Sequence, residues 1–301
     1  MIRIISCHTN DPSFIWYQKK LLDKFIIGDF EFIIFDDSNN RRNQIAKGID
    51  TYDSSVPLKI KEVCENLGIL RIEVPNSVHD NPGSVHKIRK HIIDDPCGWC
   101  SDSVQFLVNW CIQNLGDSDL ILNIDSDMFP IVPMDLQEFI GDYPIAGVRQ
   151  ERDEINYLWN GIFMFKPEKI DAENFHWDMI EKTDVGGMMH YYLEKNPEYK
   201  KIWHLWSGTW NFKDFLEGVK DREHINIFNA ERNFELPDSS RIFLDNDPRN
   251  SRSQSGEIKF YSEIYTPGFI HYRAGGNWDG YAHHSQRKKH LFNFFDVLLN
   301  Q

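Results

Sequence analysis

The chain has 301 residues, a net charge of −13 and a pI near 5.4. It is 41 % hydrophobic and 26 % charged, the balance of a globular protein, which excludes wholesale disorder. With 46 acidic against 33 basic residues, neither a duplex-coating nucleic-acid binder nor a polybasic membrane anchor fits, and no nucleic-acid partner is expected.

Ile2 to Ser6 is a buried-strand run. Asp11-Pro12 then opens a helix, with Asp as cap and Pro at the first helical position. Phe14, Ile15, Leu21, Leu22, Phe25 and Ile26 keep helical spacing, and Gly28 ends it. Phe30 to Phe35 is the second strand. Ile60, Val63, Cys64 and Leu67 form a helical stripe closed by Gly68, and Ile69 to Val74 is the third strand. Residues 75–100 hold Pro75, Pro82, Gly83, Pro96 and Gly98 and have no period, so a long loop with short helices is expected. Asp102 with Gln105 reads as a capping box for a helix carrying Val104, Leu107, Val108, Cys111, Ile112 and Leu115. Leu120 to Ile124 is a buried strand that runs directly into Asp125-Ser126-Asp127.

Alternation of strands and helices, with continuous apolar strands, predicts an α/β fold: a mostly parallel central sheet with helices on both faces. Ligands of such sheets sit beyond the carboxyl ends of the strands. The residues there are His8, Asp36, Asp37, Asp125 and Asp127. Further along, 145–148 and 157–165 read as strands, and 184–195 as a helix opened by Asp184. Residues 225–228, 242–244, 258–265 and 268–272 are strand candidates. Leu291, Phe294, Phe295 and Leu298 mark an amphipathic terminal helix. No Gly-, Ser- or Pro-rich linker divides the chain, so one fused domain over 1–301 is expected. Its first half is 1–130 and its second, 131–301, is mixed α+β. The start, Met1 to His8, does not read as a signal peptide, and no stretch approaches a membrane span. The five cysteines, at 7, 64, 97, 100 and 111, read as reduced thiols of a cytoplasmic protein.

The chemistry is concentrated in Asp125-Ser126-Asp127. Residues i and i+2 of an extended segment share a face, so both carboxylates point the same way at the open end of a strand. Like charges that close need a positive partner. A hard divalent cation supplies it, and a manganese-type ion also accepts a His nitrogen. The plain alternative is a surface turn with two solvated aspartates.

Ile124-Asp125-Ser126-Asp127-Met128-Phe129-Pro130 resembles the DxD element of GT-A glycosyltransferases. Asn160-Gly161-Ile162-Phe163 resembles the Asn-x-Gly strand that lines their donor-sugar pocket, here with Asn and Gly adjacent. Asp184-Val185-Gly186-Gly187 resembles the acidic helix start beside the reacting sugar carbon. His271-Tyr272-Arg273-Ala274-Gly275-Gly276-Asn277-Trp278 resembles the HxxGxxKPW element of the glycogenin-like and bacterial galactosyltransferase-like families. Asn277 precedes Trp278 where the family has Lys-Pro, so the phosphate-binding Lys is absent from its place. Arg273, or Arg287 to Lys289, are the substitutes.

The resemblance covers Met1 to about Tyr281. It implies a GT-A, Rossmann-like fold with a nucleotide-binding half and an acceptor-binding half. It implies transfer of a sugar from a nucleotide-diphosphate sugar, UDP favoured, to a glycan or other hydroxyl acceptor. It also implies Mn2+ or Mg2+ on Asp125, Asp127 and His271. Asp184 and Asn160 are then the catalytic candidates. Cys7, His8, Thr9, Asp37, Asp125, Gly161, Arg273, Asn277 and Trp278 are the donor-binding ones.

Each residue also has a structural reading. Asp184 is equally a helix cap, His271 a satisfied core histidine and Asn160 a turn residue. Asp36 and Asp37 are either acceptors for a base N–H or an Asx turn into Ser38-Asn39-Asn40. Trp159, Trp206, Trp210 and Trp278 are either sugar-stacking rings or core. Cys97-Gly98-Trp99-Cys100 with His86 and His91 makes a weak zinc pattern. Competing functions are a nucleotidyltransferase, a DxD phosphatase and a non-catalytic carbohydrate- or metal-binding module. The phosphatase expects its DxD near the N-terminus, and the nucleotidyltransferase expects a Gly-rich basic loop after the first strand, which Cys7 to Pro12 lacks.

Overall fold

The computed structural model describes residues 1–39, 53–80, 96–116, 119–180, 183–205, 262–272 and 284–300. The strand candidates at 225–228 and 242–244 lie outside these residues. So do Trp206, Trp210, Arg273, Asn277 and Trp278. The chain divides into two compact units. The first is Met1–Ile15, Asp29–Ser126 and Ile140–Lys201; the second is Trp16–Gly28, Asp127–Phe139 and Ile202–Gln301.

The first unit is built on a seven-stranded sheet. Its strands are β1 (Ile2–His8), β2 (Phe30–Asp36), β3 (Leu70–Glu73), β4 (Leu120–Ile124), β6 (Ile145–Arg152), β7 (Ile155–Phe165) and β8 (Lys200–Lys201), in the order β3-β2-β1-β4-β7-β6-β8. The first four of that order run parallel, β7 is antiparallel to both β4 and β6, and β8 pairs parallel with β6. The expected α/β fold with a mostly parallel sheet is therefore present, and the carboxyl ends of β1, β2 and β4 share one edge. All five residues of β4 are buried, as its apolar run requires.

Helix α2 (Val56–Leu67) buries Val56, Ile60 and Cys64 and stops at Gly68, whose φ of 63° is the left-handed conformation that a glycine adopts at no steric cost. The short α3 (Ser77–Asp80) and the long α4 (Pro96–Asn114) follow. One core joins Ile5, Phe35, Leu107, Val108, Ile121, Phe163 and Trp177, and the Phe163 and Trp177 rings stack at 3.7 Å. Each such side chain contributes about 1.5–3 kcal/mol by leaving water.

In the second unit β5 (Met128–Pro130), β9 (His204–Leu205), β10 (Ser262–Tyr265) and β11 (Phe269–Tyr272) form a sheet ordered β5-β11-β10-β9. The terminal helix α7 (His284–Asn300) buries Leu291, Phe294, Phe295 and Leu298, the four residues whose spacing predicts it. Phe295 packs on Phe129 at 4.5 Å. Helix α1 (Pro12–Phe25) begins where Asp11-Pro12 places it, and Ser13 N donates to Asp11 Oδ1 at 3.0 Å. Among the described residues the remaining α-helices are α5 (Leu136–Ile140) and, in the first unit, α6 (Met189–Lys195). Among the described residues, no helix is long and apolar enough to cross a membrane.

Two expected boundaries are corrected. Helix α4 starts at Pro96, not Asp102, so the Cys100 end of the CxxC segment is helical and Asp102 is an interior residue. Pro tolerates the first helical turn, where its missing N–H is not needed. Helix α6 starts at Met189 rather than Asp184. The preceding N–H groups are used elsewhere: Gly186 N donates to Trp177 O and Met188 N to Asp178 O, with Gly186 at φ 95°.

Candidate active site

β4 ends at Ile124, and the amide of the next residue, Asp125, donates to Gly161 O at 2.9 Å. Asn123 Nδ2 donates to Asn160 O at 2.8 Å. Both bonds reach an irregular stretch of β7. There Gly147 of β6 pairs with Phe163 and the next β6 residue, Val148, pairs with Trp159. Residues 160–162 thus form a bulge relative to β6 while Ile162 still pairs with Ile124 of β4. Bulges re-aim side chains and recur beside active sites. This one places Asn160-Gly161 against the start of the Asp-x-Asp segment.

Gly161 is required by its neighbour. A Cβ there would lie 2.1 Å from the half-buried ring of Trp159. Gly161→Ala is expected to push the indole off its seat and to destabilise the protein by about 1–3 kcal/mol. Urea unfolding with tryptophan fluorescence measures this. The double change Gly161→Ala/Trp159→Leu is expected to cost less than the sum of the single changes, and strict additivity would refute the assignment.

Asp127 directly precedes β5, and β5 pairs antiparallel with β11 so that Met128 lies opposite His271. Tyr272 N donates to Asp127 O at 2.8 Å. This register brings His271 Nε2 to 3.2 Å from Asp127 Oδ1, with both residues about 5 % exposed. Each of Asp125, Asp127 and His271 offers a ligand atom, and these atoms all lie within 4.8 Å of one another. Two carboxylates and one imidazole suit an ion that accepts both oxygen and nitrogen, as manganese does, better than an all-oxygen calcium cage.

The other predicted residues that the structure describes fall in the first unit, whereas Arg273, Asn277 and Trp278 lie outside the described residues. Asp184 is partly exposed: its Oδ2 accepts from Arg152 Nη2 at 3.1 Å, its Oδ1 accepts from Val185 N, and its own N–H donates to Tyr157 Oη. Asn160 is buried, with Nδ2 3.5 Å from Cys100 Sγ. Cys7 and His8 end β1. Burial pushes the Cys7 thiol well up, and Asp37, Cys100, Asp36 and Asp125 add to the shift, so Cys7 is a neutral thiol in the field of the Asp125 carboxylate. His8 Nε2 lies 3.2 Å from Ser6 Oγ, and Thr9 is half-buried.

Asp36 and Asp37 are both buried, and each already has protein partners. Asp36 accepts from Arg71 Nε and Nη2 at 2.7 and 2.6 Å and from Ser38 N. Asp37 accepts from Ser103 Oγ at 2.8 Å and pairs with His79 Nε2 at 3.0 Å. Sequence reasoning missed His79, Ser103 and Arg71. A charge directly after a buried strand end needs a buried counter-charge, and that was the signal available.

No family model matches the chain, and no curated protein matches it in sequence. Solved structures do. The mouse xyloside xylosyltransferase 1 in its apo form is 10 % identical, with 66 % of this chain and 84 % of that one covered and a TM-score of 0.37. The galactosyltransferase LgtC in complex with donor and acceptor sugar analogues is 12 % identical, with 67 % and 73 % covered and a TM-score of 0.36. The WbbM bifunctional glycosyltransferase is 11 % identical, with 78 % of this chain and 45 % of that one covered and a TM-score of 0.41.

Proposed function

We propose that the protein is a metal-dependent glycosyltransferase that moves a sugar from a nucleoside-diphosphate donor to a hydroxyl of a glycan or related acceptor. The observation that carries this reading is the grouping of Asp125, Asp127 and His271 directly after a buried strand of a mostly parallel sheet. A divalent cation bound there supplies Lewis-acid stabilisation of the charge that grows on a leaving diphosphate.

The protein's own residues carry the rest. Asp127 and His271 are the holding pair, and Asp125 is either a further ligand or a ribose contact. Asn160 and Gly161, presented by the β7 bulge, face the donor sugar. Cys7, His8, Thr9 and Asp37 line the base and ribose end, where the backbone of β1's end is the expected contact. In the transfer, the bond between the anomeric carbon and the phosphate oxygen breaks and its electron pair leaves with the diphosphate. The acceptor oxygen forms the new bond and releases its proton. In an inverting course Asp184 takes that proton, held in orientation by Arg152. In a retaining course Asn160 or Asp184 supports the oxocarbenium-like state.

Arg152→Ala is expected to lower turnover several-fold with little change in donor affinity, since it leaves Asp184 present but unanchored. Steady-state kinetics reads the split, and an unchanged kcat would remove Arg152 from the reaction.

The direct test is a thermal-shift screen of UDP, GDP, CDP and their sugars, with and without manganese or magnesium, on the parent and on Asp127→Ala. A metal-dependent shift with one nucleotide, lost in the variant, supports the reading and names the base. No shift under any metal condition removes the donor site and favours a non-catalytic binding module.

A further inference from the structure

Helix α4 begins with an unusual run. Cys100, Ser101, Asp102, Ser103 and Gln105 are polar, yet Ser101, Asp102 and Ser103 are all buried. At 100° per residue these positions point in every direction around the helix. Together they meet four parts of the first unit. Cys100 Sγ lies 3.5 Å from Asn160 Nδ2 on the β7 bulge. Ser101 Oγ donates to Trp177 O, and Gln105 Oε1 accepts from Trp177 N at 2.7 Å. Ser103 Oγ donates to Asp37 Oδ2 just beyond β2. Asp102 Oδ2 lies 3.6 Å from His79 Nδ1 on α3, an ion-pair distance.

We propose that His79 is a positioning residue of the donor site: placed between Asp37 and Asp102, it seats the first turns of α4, and α4 in turn holds the Asn160 bulge. The proposal rests on the transferase reading for the role of Asn160, and on geometry alone for the seat.

The charge distribution makes His79 the keystone. Asp36 already has the Arg71 guanidinium. Asp37 and Asp102 share His79, which is only 4 % exposed: its Nε2 is in hydrogen-bond contact with Asp37 Oδ1, and its Nδ1 faces Asp102 Oδ2 at 3.6 Å, a charge contact rather than a hydrogen bond. Two buried carboxylates converging on one imidazole favour its charged form. Burial alone would lower the His79 pKa, but the facing Asp102 and Asp37 carboxylates outweigh burial and raise it from 6.5 to about 9. The other described titratable groups on the elements around the cluster are Asp36, Arg71 and Glu73 on β2 and β3, Cys7 and His8 on β1, and Cys100 on α4. A folded-state pKa above the unfolded value means that the protonated clasp contributes its full stability below about pH 6.5. That contribution is lost as pH rises through about 9.

The test compares the parent with His79→Gln, which can still hydrogen-bond but cannot carry charge. Two readouts are needed: amide hydrogen exchange in peptides covering residues 99–106, and manganese-supported UDP affinity. At about pH 7 the variant is expected to exchange roughly tenfold faster in that segment, with the terminal helix unchanged, and to bind UDP roughly tenfold more weakly. The parent is expected to approach the variant in both readouts near pH 9.5, after correction for intrinsic exchange. Equal exchange in parent and variant overturns the proposal whatever the nucleotide does. Faster exchange with unchanged UDP affinity overturns the link to Asn160. A parent that binds no nucleotide while the exchange difference persists overturns the transferase reading and supports the seat. Should His79→Gln not fold, Asp102→Asn replaces it. The parent's stability is expected to fall between about pH 6.5 and 9, and the Asp102→Asn variant's curve to be shallower; coincident curves overturn the proposal.

Discussion

Replacing Asp127 by Asn is expected to abolish manganese binding and, with it, every metal-dependent nucleotide effect. Asn matches Asp in size, so the β5–β11 pairing and the Tyr272 N bond to Asp127 O remain. What disappears is a formal negative charge on a buried atom 3.2 Å from His271 Nε2. Outer residues that merely orient a metal ligand cost about 10–100-fold in affinity when changed, so the ligand itself sets a loss beyond about 100-fold. The thermal midpoint without metal is expected to hold or to rise, because a crowded pair of carboxylates becomes a single one. Calorimetric titration with manganese, then with a nucleoside diphosphate in excess manganese, separates the two steps. His271→Gln is expected to follow Asp127→Asn. Asp125→Asn is expected to be milder, since Asp125 is half-exposed and its backbone is fixed independently through Gly161 O. Tight manganese binding by Asp127→Asn would end the proposed metal site.

The Asp-x-Asp segment was legible in the sequence because it directly follows a five-residue strand run with four apolar residues, and a buried strand fixes whatever comes next. His271 was legible as the end of another apolar run and, through the resemblance of 271–278 to the HxxGxxKPW element, as a metal-ligand candidate. Its approach to Asp127 depends on β5, a three-residue strand too short to announce itself, and on the register that sets Met128 opposite His271. The β7 bulge was invisible for a related reason: a bulge is a mismatch between two strands, and one strand's sequence does not contain its partner's register. Asp102 with Gln105 matched a capping box and misled. Capping depends on where the helix begins, and Pro96 begins it earlier, which leaves Asp102 buried and held by the His79 ion pair instead. The helices α1 and α7 were easier, because they bury the residues that their spacing singles out, and α2 buries Ile60 and Cys64 of its stripe with Val63 and Leu67 half-buried. Each is punctuated by a Pro, Gly or terminal position whose backbone preference is local.

Gly186→Ala is the substitution expected to do most damage outside the metal site. Gly186 sits at φ 95°, a conformation that costs a residue with a Cβ about 1–2 kcal/mol on its own. A Cβ there would also lie 2.0 Å from Leu158 O and 3.3 Å from Trp177 Cε3. Leu158 O is backbone in the middle of β7, so the strand cannot yield without disturbing its pairing with β6. At Gly161 the obstacle is a side chain that a second mutation removes, whereas at Gly186 no side-chain change gives relief. The combined penalty is expected to reach about 3 kcal/mol or more, a large fraction of a domain's stability. It falls on the segment that carries Asp184, two residues earlier, whose carboxylate position depends on Arg152 and on the Val185 amide. Urea unfolding measures the global cost. If Asp184 acts on the acceptor, any folded Gly186→Ala protein is expected to lose kcat while keeping manganese affinity, because Asp127 and His271 are held by the separate β5–β11 pairing. A folded variant with parental stability would show that the segment adopts another backbone path, and one with lost stability but parental kcat would take Asp184 out of the reaction.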